Sequence, residues 1–262
     1  IHDLVIEVKD QVGDLDVHVA MTGSGGLSLA NSMGIEFIQE VIACTKTIET
    51  YIPRTDVAIE LGGEDAKITY FDGQLEQRMN GSCAGGTGAF IDQMATLLQT
   101  DAKGLNELAK NYKTIYPIAS RSGVFAKTDV QPLIHDGVSK EDIAVSILQA
   151  VVNQTISGLA SGHPIKGNVA FLGGPLYFLS ELRQRFIETI GLTEDQVIFP
   201  DNSQLFVAMG ACIYAKENAK EAISFSNMIK HLEKLENQTS ELTNVLEPLF
   251  NNEEELRAFR ER

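Results

Sequence analysis

The sequence predicts an α/β fold, and three of its features support this prediction. Every second residue from Val57 to Leu61 is apolar, Val169–Leu172 is wholly apolar, and a Gly-Gly pair follows each of these strand-length runs. Helical periodicities lie between them, for example Phe90, Met94 and Leu97 at i, i+4 and i+7. The 262 residues include 22 glycines and are 44% hydrophobic and 22% charged, a composition typical of a globular chain with a sizeable core.

The N-terminal part predicts a strand, a glycine loop and helices. Val17 and Val19 alternate with polar residues as in a strand, and the glycine-rich segment Thr22–Gly26 follows. The next amphipathic helix is predicted from an apolar face at i, i+4, i+7 and i+11, formed by Phe37, Val41, Cys44 and Ile48.

The middle of the chain predicts a hairpin and further helices. Ile68–Leu75, with the turn Asp72-Gly73 inside it, is the strongest hairpin signal in the sequence. An amphipathic helix is predicted from Thr87, whereas residues 115–137 are expected to be irregular. A later helix is indicated by the apolar residues Ile143, Ile147 and Val151.

The C-terminal part predicts a strand at Val197–Phe199, one more core helix and then a helical arm. The helix after Ser203 has a predicted apolar face made of Leu205, Ala208, Met209, Cys212 and Ile213, so Cys212 is predicted to pack in the core. Beyond Lys216 glycine is absent, and leucine stripes run among many charges. This pattern is typical of a helical arm outside the α/β core.

Composition excludes several classes of partner. The chain has 21 Lys+Arg and 36 Asp+Glu, a net charge of −15, so neither nucleic acid nor an anionic membrane is an expected partner. Its uninterrupted apolar runs are far shorter than the roughly 20 residues of a membrane-spanning helix, and no leader-like pattern opens the chain. Three scattered cysteines form no disulfide framework. We therefore expect a cytoplasmic protein.

Glycine-rich loops at the ends of predicted strands indicate a nucleotide as ligand, because backbone N–H groups without a nearby Cβ can approach a phosphate. The P-loop motif does not occur, and in the segment that begins at Gly23 the dinucleotide fingerprint is broken by Ser28 in place of its third glycine. The segments that remain are Glu60–Lys67, Asn80–Phe90 and Phe171–Pro175.

These segments resemble the BadF/BadG/BcrA/BcrD ATPase family, which includes activators of 2-hydroxyacyl-CoA dehydratases and ATPase subunits of benzoyl-CoA reductases. Glu60–Lys67 is similar to the family's second phosphate loop, and Cys83–Gly88 is similar to its Cys-Ala-Ala/Gly-Gly-Thr-Gly motif. The resemblance covers roughly residues 15 to 215 and looks closest to the first activase-like domain of long multidomain members. It implies an actin/hexokinase-like, ribonuclease H-like, two-lobed ATPase fold.

The resemblance also implies a role for residues in each segment, with ATP or ADP and Mg²⁺ as cofactors. Gly62 and Gly63 would hold the β/γ-phosphates, and Gly173 and Gly174 would bracket the adenosine. The catalytic candidates, which would contact Mg²⁺ or the attacking water, are Glu60, Glu64 and Asp65. The full set of expected nucleotide-binding residues is Gly62, Gly63, Lys67, Gly86, Thr87, Gly88, Gly173, Gly174 and Pro175.

Cys83 is the candidate metal ligand. It precedes a predicted helix, whose N–H groups and dipole favour a thiolate. Family activators are homodimers in which each subunit gives two cysteines to a shared [4Fe-4S] cluster, but Ser122 stands at the position of the second cysteine here. A hydroxyl is a poor substitute for a thiolate on iron. Cluster binding and a structural role for Cys83 both stay open.

The resemblance also sets expectations for domain organisation. The family opens with an Asp-x-Gly-Ser-Thr-type first phosphate loop, and nothing of that kind precedes Ile1. We expect a piece of a longer protein that does not turn over ATP alone. Its expected domains are 1–55 with 206–219 as an incomplete lobe I, 56–205 as lobe II, and 220–262 as a helical connector to further domains.

Three functions remain open at this point. The leading one is an ATP-hydrolysing activase module that couples nucleotide state to electron transfer from an iron–sulfur cluster to a 2-hydroxyacyl-CoA dehydratase or a related CoA-ester reductase. Its rivals are a sugar or small-molecule kinase of the same fold and a non-catalytic nucleotide-binding scaffold. Iron content after anaerobic purification would separate the first function from the other two.

Overall fold

The computed structural model describes residues 1–80, 86–119, 123–219, 221–242, 250 and 252–260. Its helices are α1 His2–Val12, α2 Gly26–Met33, α3 Glu40–Tyr51, α4 Gly88–Leu97, α5 Ala102–Ala109, α6 Gly123–His135, α7 Lys140–Thr155, α8 Gly174–Phe178, α9 Ser180–Ile190, α10 Phe206–Asn218, α11 Phe225–Leu242 and α12 Glu253–Arg260. Its strands are β1 Asp16–Val17, β2 Ala20–Met21, β3 Glu36–Phe37, β4 Val57–Leu61, β5 Ala66–Tyr70, β6 Glu76–Met79, β7 Val169–Leu172, β8 Val197–Ile198 and β9 Ile223–Ser224. The chain divides into two compact units. The smaller unit consists of residues 1–21, 25–37 and 215–262, and the larger unit consists of residues 22–24 and 38–214.

The larger unit is built on a five-stranded mixed sheet with the order β6-β5-β4-β7-β8. Strands β4, β7 and β8 are parallel, and β5 and β6 run antiparallel to their neighbours. Val57 pairs with Val169 and Glu60 pairs with Leu172, so β4 and β7 end side by side. The predicted α/β class is confirmed.

Alternation along β4 divides the core of this unit between the two faces of the sheet. Val57, Ile59 and Leu61 pack with α4, α5, α7 and α9 on one face, while Ala58 packs with α3 and Phe206 on the other. The helical stretch Lys140–Ala160 is long and apolar enough by composition to cross a membrane, yet 67% of its most apolar 18 residues are buried inside the protein. In this fold it is the central helix of the core.

The smaller unit is mostly helical. Strand β1 pairs antiparallel with β9, and β2 pairs parallel with β3. Its buried core consists of Met33, Phe225, Met228 and Leu232, against which residues of α1 pack. Residues 223–242 of the expected connector therefore belong to a unit with residues 1–21 and 25–37, while residues 38–55 and 206–214 lie with 56–205. The expected division into lobes stays a prediction.

The hairpin prediction is confirmed, but its second strand begins later than expected, at Glu76 opposite Tyr70. The expectation of irregular structure over residues 115–137 is wrong, because α6 occupies Gly123–His135. Gly123, Pro132 and Gly137 lower the helical propensity of this segment, but Ala126 and Val130 are fully buried. Tertiary burial outweighs local propensity here.

Two further helix predictions need correction. Phe37 lies in β3, so α3 begins only at Glu40. The predicted apolar face of α10 is also wrong, because Cys212 is exposed and Leu205 is 48% exposed. The buried face instead contains Phe206, Gly210, Ala211 and Ala215. A Cβ at Gly210 would overlap the carbonyl of Ala43, so the missing side chain lets α10 approach α3 closely.

We expect Gly210→Ala to lower the free energy of unfolding by about 1–3 kcal/mol, because the added methyl group must displace backbone rather than a flexible side chain. The matched control is Gly158→Ala at an exposed position where a Cβ meets nothing within 4 Å. It should leave stability unchanged within about 0.5 kcal/mol, or raise it slightly. Urea denaturation followed by circular dichroism measures both variants, and equal stability would contradict the close helix contact.

Candidate functional site

The first glycine loop is the tight turn Gly62–Asp65 that joins β4 to β5. The Gly62 N–H donates to the Asp65 carbonyl at 2.8 Å. The Asp65 side chain folds over Gly62 so closely that a Cβ at this position would overlap its Oδ1. Gly63 and Glu64 are exposed at the tip, and a Cβ at Gly63 would meet nothing within 4 Å. The turn therefore offers open backbone at its tip.

The second glycine loop follows β7. Gly173 has φ 89°, and a Cβ there would overlap the backbone of Leu61 at the end of the neighbouring strand. Its N–H donates to the Ser203 carbonyl at 3.2 Å. Only glycine fits this close approach of two strand ends. Gly174, by contrast, faces open space, since a Cβ there would meet nothing within 4 Å.

The first turn of α4 fixes the position of the Gly62–Asp65 turn. The Gly88 N–H donates to the Gly62 carbonyl at 3.0 Å, and the Ala89 N–H donates to the Gly63 carbonyl at 2.7 Å. A Cβ at Gly88 would lie 3.3 Å from the Gly63 Cα and 3.4 Å from the Pro175 Cγ, so this residue sits between the two glycine loops. These two helix amides hold the loop and are not free to bind a ligand.

The two loops meet at a pocket of about 370 Å³, within the usual size range of small-molecule sites. Its lining residues come from both loops and from α4, α5 and α8: Gly63, Gly88, Ile91, Asp92, Ala102, Gly174, Pro175, Phe178 and Leu179. Gly63, Gly88, Gly174 and Pro175 were expected from the sequence. Asp92 and Phe178 were not, because no motif marks them.

Other expected residues lie away from the pocket. Thr87 is fully buried, and a Cβ at Gly86 would be 3.1 Å from the Thr155 hydroxyl of α7, so both residues pack against the core. Cys83 and Ser122 lie outside the described residues.

Lys67 lies beneath the first glycine loop in a buried network of charges. Its Nζ is 2.7 Å from Glu40 Oε2, 2.8 Å from Asp65 Oδ2 and 3.3 Å from Glu60 Oε1. The lysine side chain is 4% exposed, whereas those of Asp65 and Glu40 are 35% and 28% exposed. Strand pairing places Lys67 directly opposite Glu60. Three carboxylates thus surround one ammonium group.

Burial and charge act in opposite directions in this network. Burial by itself lowers the pKa of Lys67, but the carboxylates of Glu60, Asp65 and Glu40 outweigh it and hold that pKa above its ordinary value. Burial raises the pKa of Glu60 against the opposing effect of Lys67. Burial and the nearby Glu60 charge raise the pKa of the Cys44 thiol well above its ordinary value. Lys67 is thus strongly held in its charged form, and Cys44 is an unreactive thiol.

The expected catalytic residues occupy different environments. The Glu60 side chain is 13% exposed and is hydrogen-bonded to Lys67 and Cys44 on the α3 side of the sheet. Glu64 is exposed and Asp65 is half-buried beside the loop tip. In the described part of the chain, no group of three or more His, Cys, Asp or Glu residues could hold a metal ion by itself.

A mixed sheet with two glycine loops at the carboxyl ends of adjacent parallel strands is the arrangement at which open α/β proteins bind their ligands. The chain belongs to the BadF/BadG/BcrA/BcrD ATPase family, which matches residues 1–215. This match confirms the family resemblance of the three glycine-rich segments.

Two curated relatives are dehydratase activators. The chain is 30% identical to the 2-hydroxyisocaproyl-CoA dehydratase activator of Clostridioides difficile over 78% of this chain and 75% of the relative. It is 32% identical to the activator of lactoyl-CoA dehydratase of Anaerotignum propionicum over 70% of each chain.

Solved structures agree with this assignment. The Clostridium difficile 2-hydroxyisocaproyl-CoA dehydratase activator with bound ADPNP matches with a TM-score of 0.72 and 26% identity, over 93% of this chain and 85% of the other. Component A of Acidaminococcus fermentans (R)-2-hydroxyglutaryl-CoA dehydratase matches with a TM-score of 0.69 and 28% identity, over 77% and 76%. The ethanolamine utilization protein EutJ of Carboxydothermus hydrogenoformans, at 13% identity over 81% and 71% of the chains with a TM-score of 0.51, shares the fold alone. The predicted actin/hexokinase-like fold is confirmed.

Lys67→Met should destabilise the protein by about 3–5 kcal/mol, because it leaves three carboxylates around an uncharged, buried side chain. The matched control is Lys110→Met, which removes an exposed ion pair to Glu107 with side chains 44% and 56% exposed. This control should cost at most about 1 kcal/mol. Urea denaturation measures both, and equal losses would contradict the buried network.

Proposed function

We propose that this chain is the nucleotide-binding module of a 2-hydroxyacyl-CoA dehydratase activator, with ATP or ADP and Mg²⁺ as ligands. The observation that carries the proposal is the convergence of the Gly62–Asp65 turn and the Gly173–Pro175 loop on one pocket. Ligands of open α/β sheets bind at the carboxyl ends of their parallel strands. The names of the two curated relatives and the ADPNP bound to a similar structure support both parts of the proposal.

The two loops have distinct roles in this proposal. The open backbone at Gly63 approaches the β/γ-phosphates, where a side chain would keep them at a distance. Gly174 and Pro175 form one wall of the adenosine site, and Ile91 and Phe178 supply apolar surface for the base. Gly86 and Thr87 act indirectly, by packing α4 against the core, whereas Gly88 both lines the pocket and holds the first loop through its N–H.

Glu64 and Asp65 are the carboxylates that would hold Mg²⁺ together with the phosphates. Mg²⁺ takes oxygen ligands and usually combines one or two carboxylates with phosphate oxygens and waters, which suits this loop. When bound, it neutralises phosphate charge. Glu60 remains a proposed member of the catalytic set and acts through Lys67, since its carboxylate is bonded within the buried network.

The proposed partner is a 2-hydroxyacyl-CoA dehydratase, as for the dehydratase activators among the relatives, or a related CoA-ester reductase component. A homodimer, attachment to further domains and a cytoplasmic location belong to the same proposal. The net charge of −15 supports a protein partner over nucleic acid.

Electron transfer through a [4Fe-4S] cluster fits this chain poorly. Such a cluster usually takes four thiolates, and two copies of the chain would supply two from Cys83 and two hydroxyls from Ser122. We therefore derive no electron-transfer step for the chain as it stands.

Gly174→Val should abolish nucleotide binding without unfolding the protein, because its side chain would enter open space in the proposed adenosine site. Mg-ADP at about 100 times its Kd should raise the melting temperature of the unaltered chain by about 5 °C or more. The variant should show no such rise. Differential scanning fluorimetry measures both, with Gly158→Val as the control at another open glycine. An unchanged rise in the Gly174 variant would place the adenosine elsewhere.

The unaltered chain should purify colourless under anaerobic conditions, and Ser122→Cys should gain iron on reconstitution, approaching about four irons per dimer. Replacing Cys83 by serine in that background should remove the iron again, because two thiolates per dimer are lost. Cys44→Ser and Cys212→Ser in the same background are the controls and should leave the iron content unchanged. Iron and sulfide assays with absorption spectroscopy give the answer. No gain of iron would leave a nucleotide-binding module without an electron-transfer role.

A further inference from the structure

Glu40 joins two parts of the larger unit that are far apart in sequence. It is the first residue of α3, and its Oε1 accepts the Ser24 N–H at 2.9 Å. Its other oxygen, Oε2, accepts from Lys67 Nζ at 2.7 Å. One carboxylate therefore contacts both the glycine-rich segment Thr22–Gly26 and the lysine of the phosphate loop.

The Thr22–Ser24 turn is held by the Glu40 carboxylate. It belongs to the larger unit, although the residues before it, up to Met21, and after it, from Gly25, belong to the smaller one. The Thr22 hydroxyl is buried and has no hydrogen-bond partner among the described residues. Gly23 has φ 98°, and a Cβ there would be in ordinary van der Waals contact with Glu40 Oε1, at 3.9 Å. The turn therefore contacts the Glu40 carboxylate through the Ser24 N–H, and Gly23 lies beside that carboxylate.

At its other end the network reaches the proposed nucleotide site. Lys67 also forms an ion pair with Asp65, whose side chain folds over Gly62 beside the open tip of the loop. Phosphates and Mg²⁺ at this tip would compete for the Asp65 carboxylate and the Lys67 ammonium. A change in either pairing alters the charge that Glu40 faces at 2.7 Å.

We propose that Glu40 is a positioning residue that ties the Thr22–Ser24 turn to Lys67, so that nucleotide at the Gly62–Asp65 turn changes the protection of the Ser24 amide. That a nucleotide binds at this turn rests on the proposed function. The linkage from Ser24 through Glu40 to Lys67 rests on the hydrogen bonds of the structure. Both oxygens of Glu40 are occupied by protein partners, the Ser24 N–H and Lys67 Nζ, so in this proposal it acts through Lys67.

Variants of Glu40 can break the linkage because it depends on two acceptor oxygens of one carboxylate. Glu40→Gln replaces one of the two carboxylate oxygens by an NH₂ donor; because Ser24 and Lys67 bind different oxygens, one of the two pairings is lost. Glu40→Asp keeps the charge but lacks the reach to span both partners. Glu49→Gln, on an exposed position of the same helix, is the matched control.

The test is hydrogen–deuterium exchange of the full 262-residue chain, read on peptides covering residues 20–26, with and without Mg-ADPNP. In the unaltered chain and in Glu49→Gln, Mg-ADPNP should change exchange in this peptide. In Glu40→Gln the Ser24 N–H has at best a neutral acceptor, and in Glu40→Asp it has none while Lys67 is paired, so exchange without nucleotide should be faster in both variants, by up to about tenfold. Isothermal titration calorimetry should show that both variants still bind Mg-ADPNP, while their nucleotide-dependent change in the peptide is lost.

The outcomes separate this inference from the proposed function. If the unaltered chain binds Mg-ADPNP and the response persists in both Glu40 variants, the positioning role is overturned. If the unaltered chain does not bind Mg-ADPNP, the proposed function fails, and Lys67→Met without nucleotide then decides the linkage. If hydrogen–deuterium exchange of the 20–26 peptide in Lys67→Met rises more than exchange of α9 does, the linkage through Lys67 is supported. If the two rise equally, the linkage is overturned. Should Glu40→Gln fail to fold, Glu40→Asp carries the same comparison.

Discussion

The parallel pairing of β4 with β7 is the constraint on which the rest of the site depends. Their registered hydrogen bonds bring both strands to an end at the same level, so the two glycine loops emerge side by side. Gly173 then approaches the backbone of Leu61 more closely than any side chain would allow. Because main-chain contacts set the position of the pocket, the side chains around it remain available for ligand chemistry.

The buried Lys67 network links this sheet edge to α3. Alternation on β5 directs the lysine to the face opposite the main core, where an unpaired ammonium would be costly. Carboxylates from the neighbouring strand, the loop and α3 surround it, and each comes from a different part of the chain. The same contacts that make burial of the charge tolerable connect the loop to the Thr22–Ser24 turn.

Family membership and local geometry contribute different parts of the functional argument. The ATPase family and its activator relatives support the nucleotide and the dehydratase partner. Geometry distinguishes the residues that face the pocket, such as Gly63 and Gly174, from those of the same motifs that pack, such as Thr87. Ser122 is the residue at which this chain departs from the cluster-binding pattern that the resemblance implies.

The sequence by itself determined the α/β class, the hairpin and the two glycine loops, because strand length, alternation and Gly-Gly pairs are local signals. Its segments Glu60–Lys67, Cys83–Gly88 and Phe171–Pro175 also resemble those of the family, which the family match confirms. Only the tertiary structure decided which face of α10 is buried, that α6 forms, and that Glu40 reaches Lys67 across 27 positions of sequence. These outcomes depend on close approach of helices, on burial in a shared core and on long-range charge pairing, and local periodicity alone does not show which partner each segment will meet.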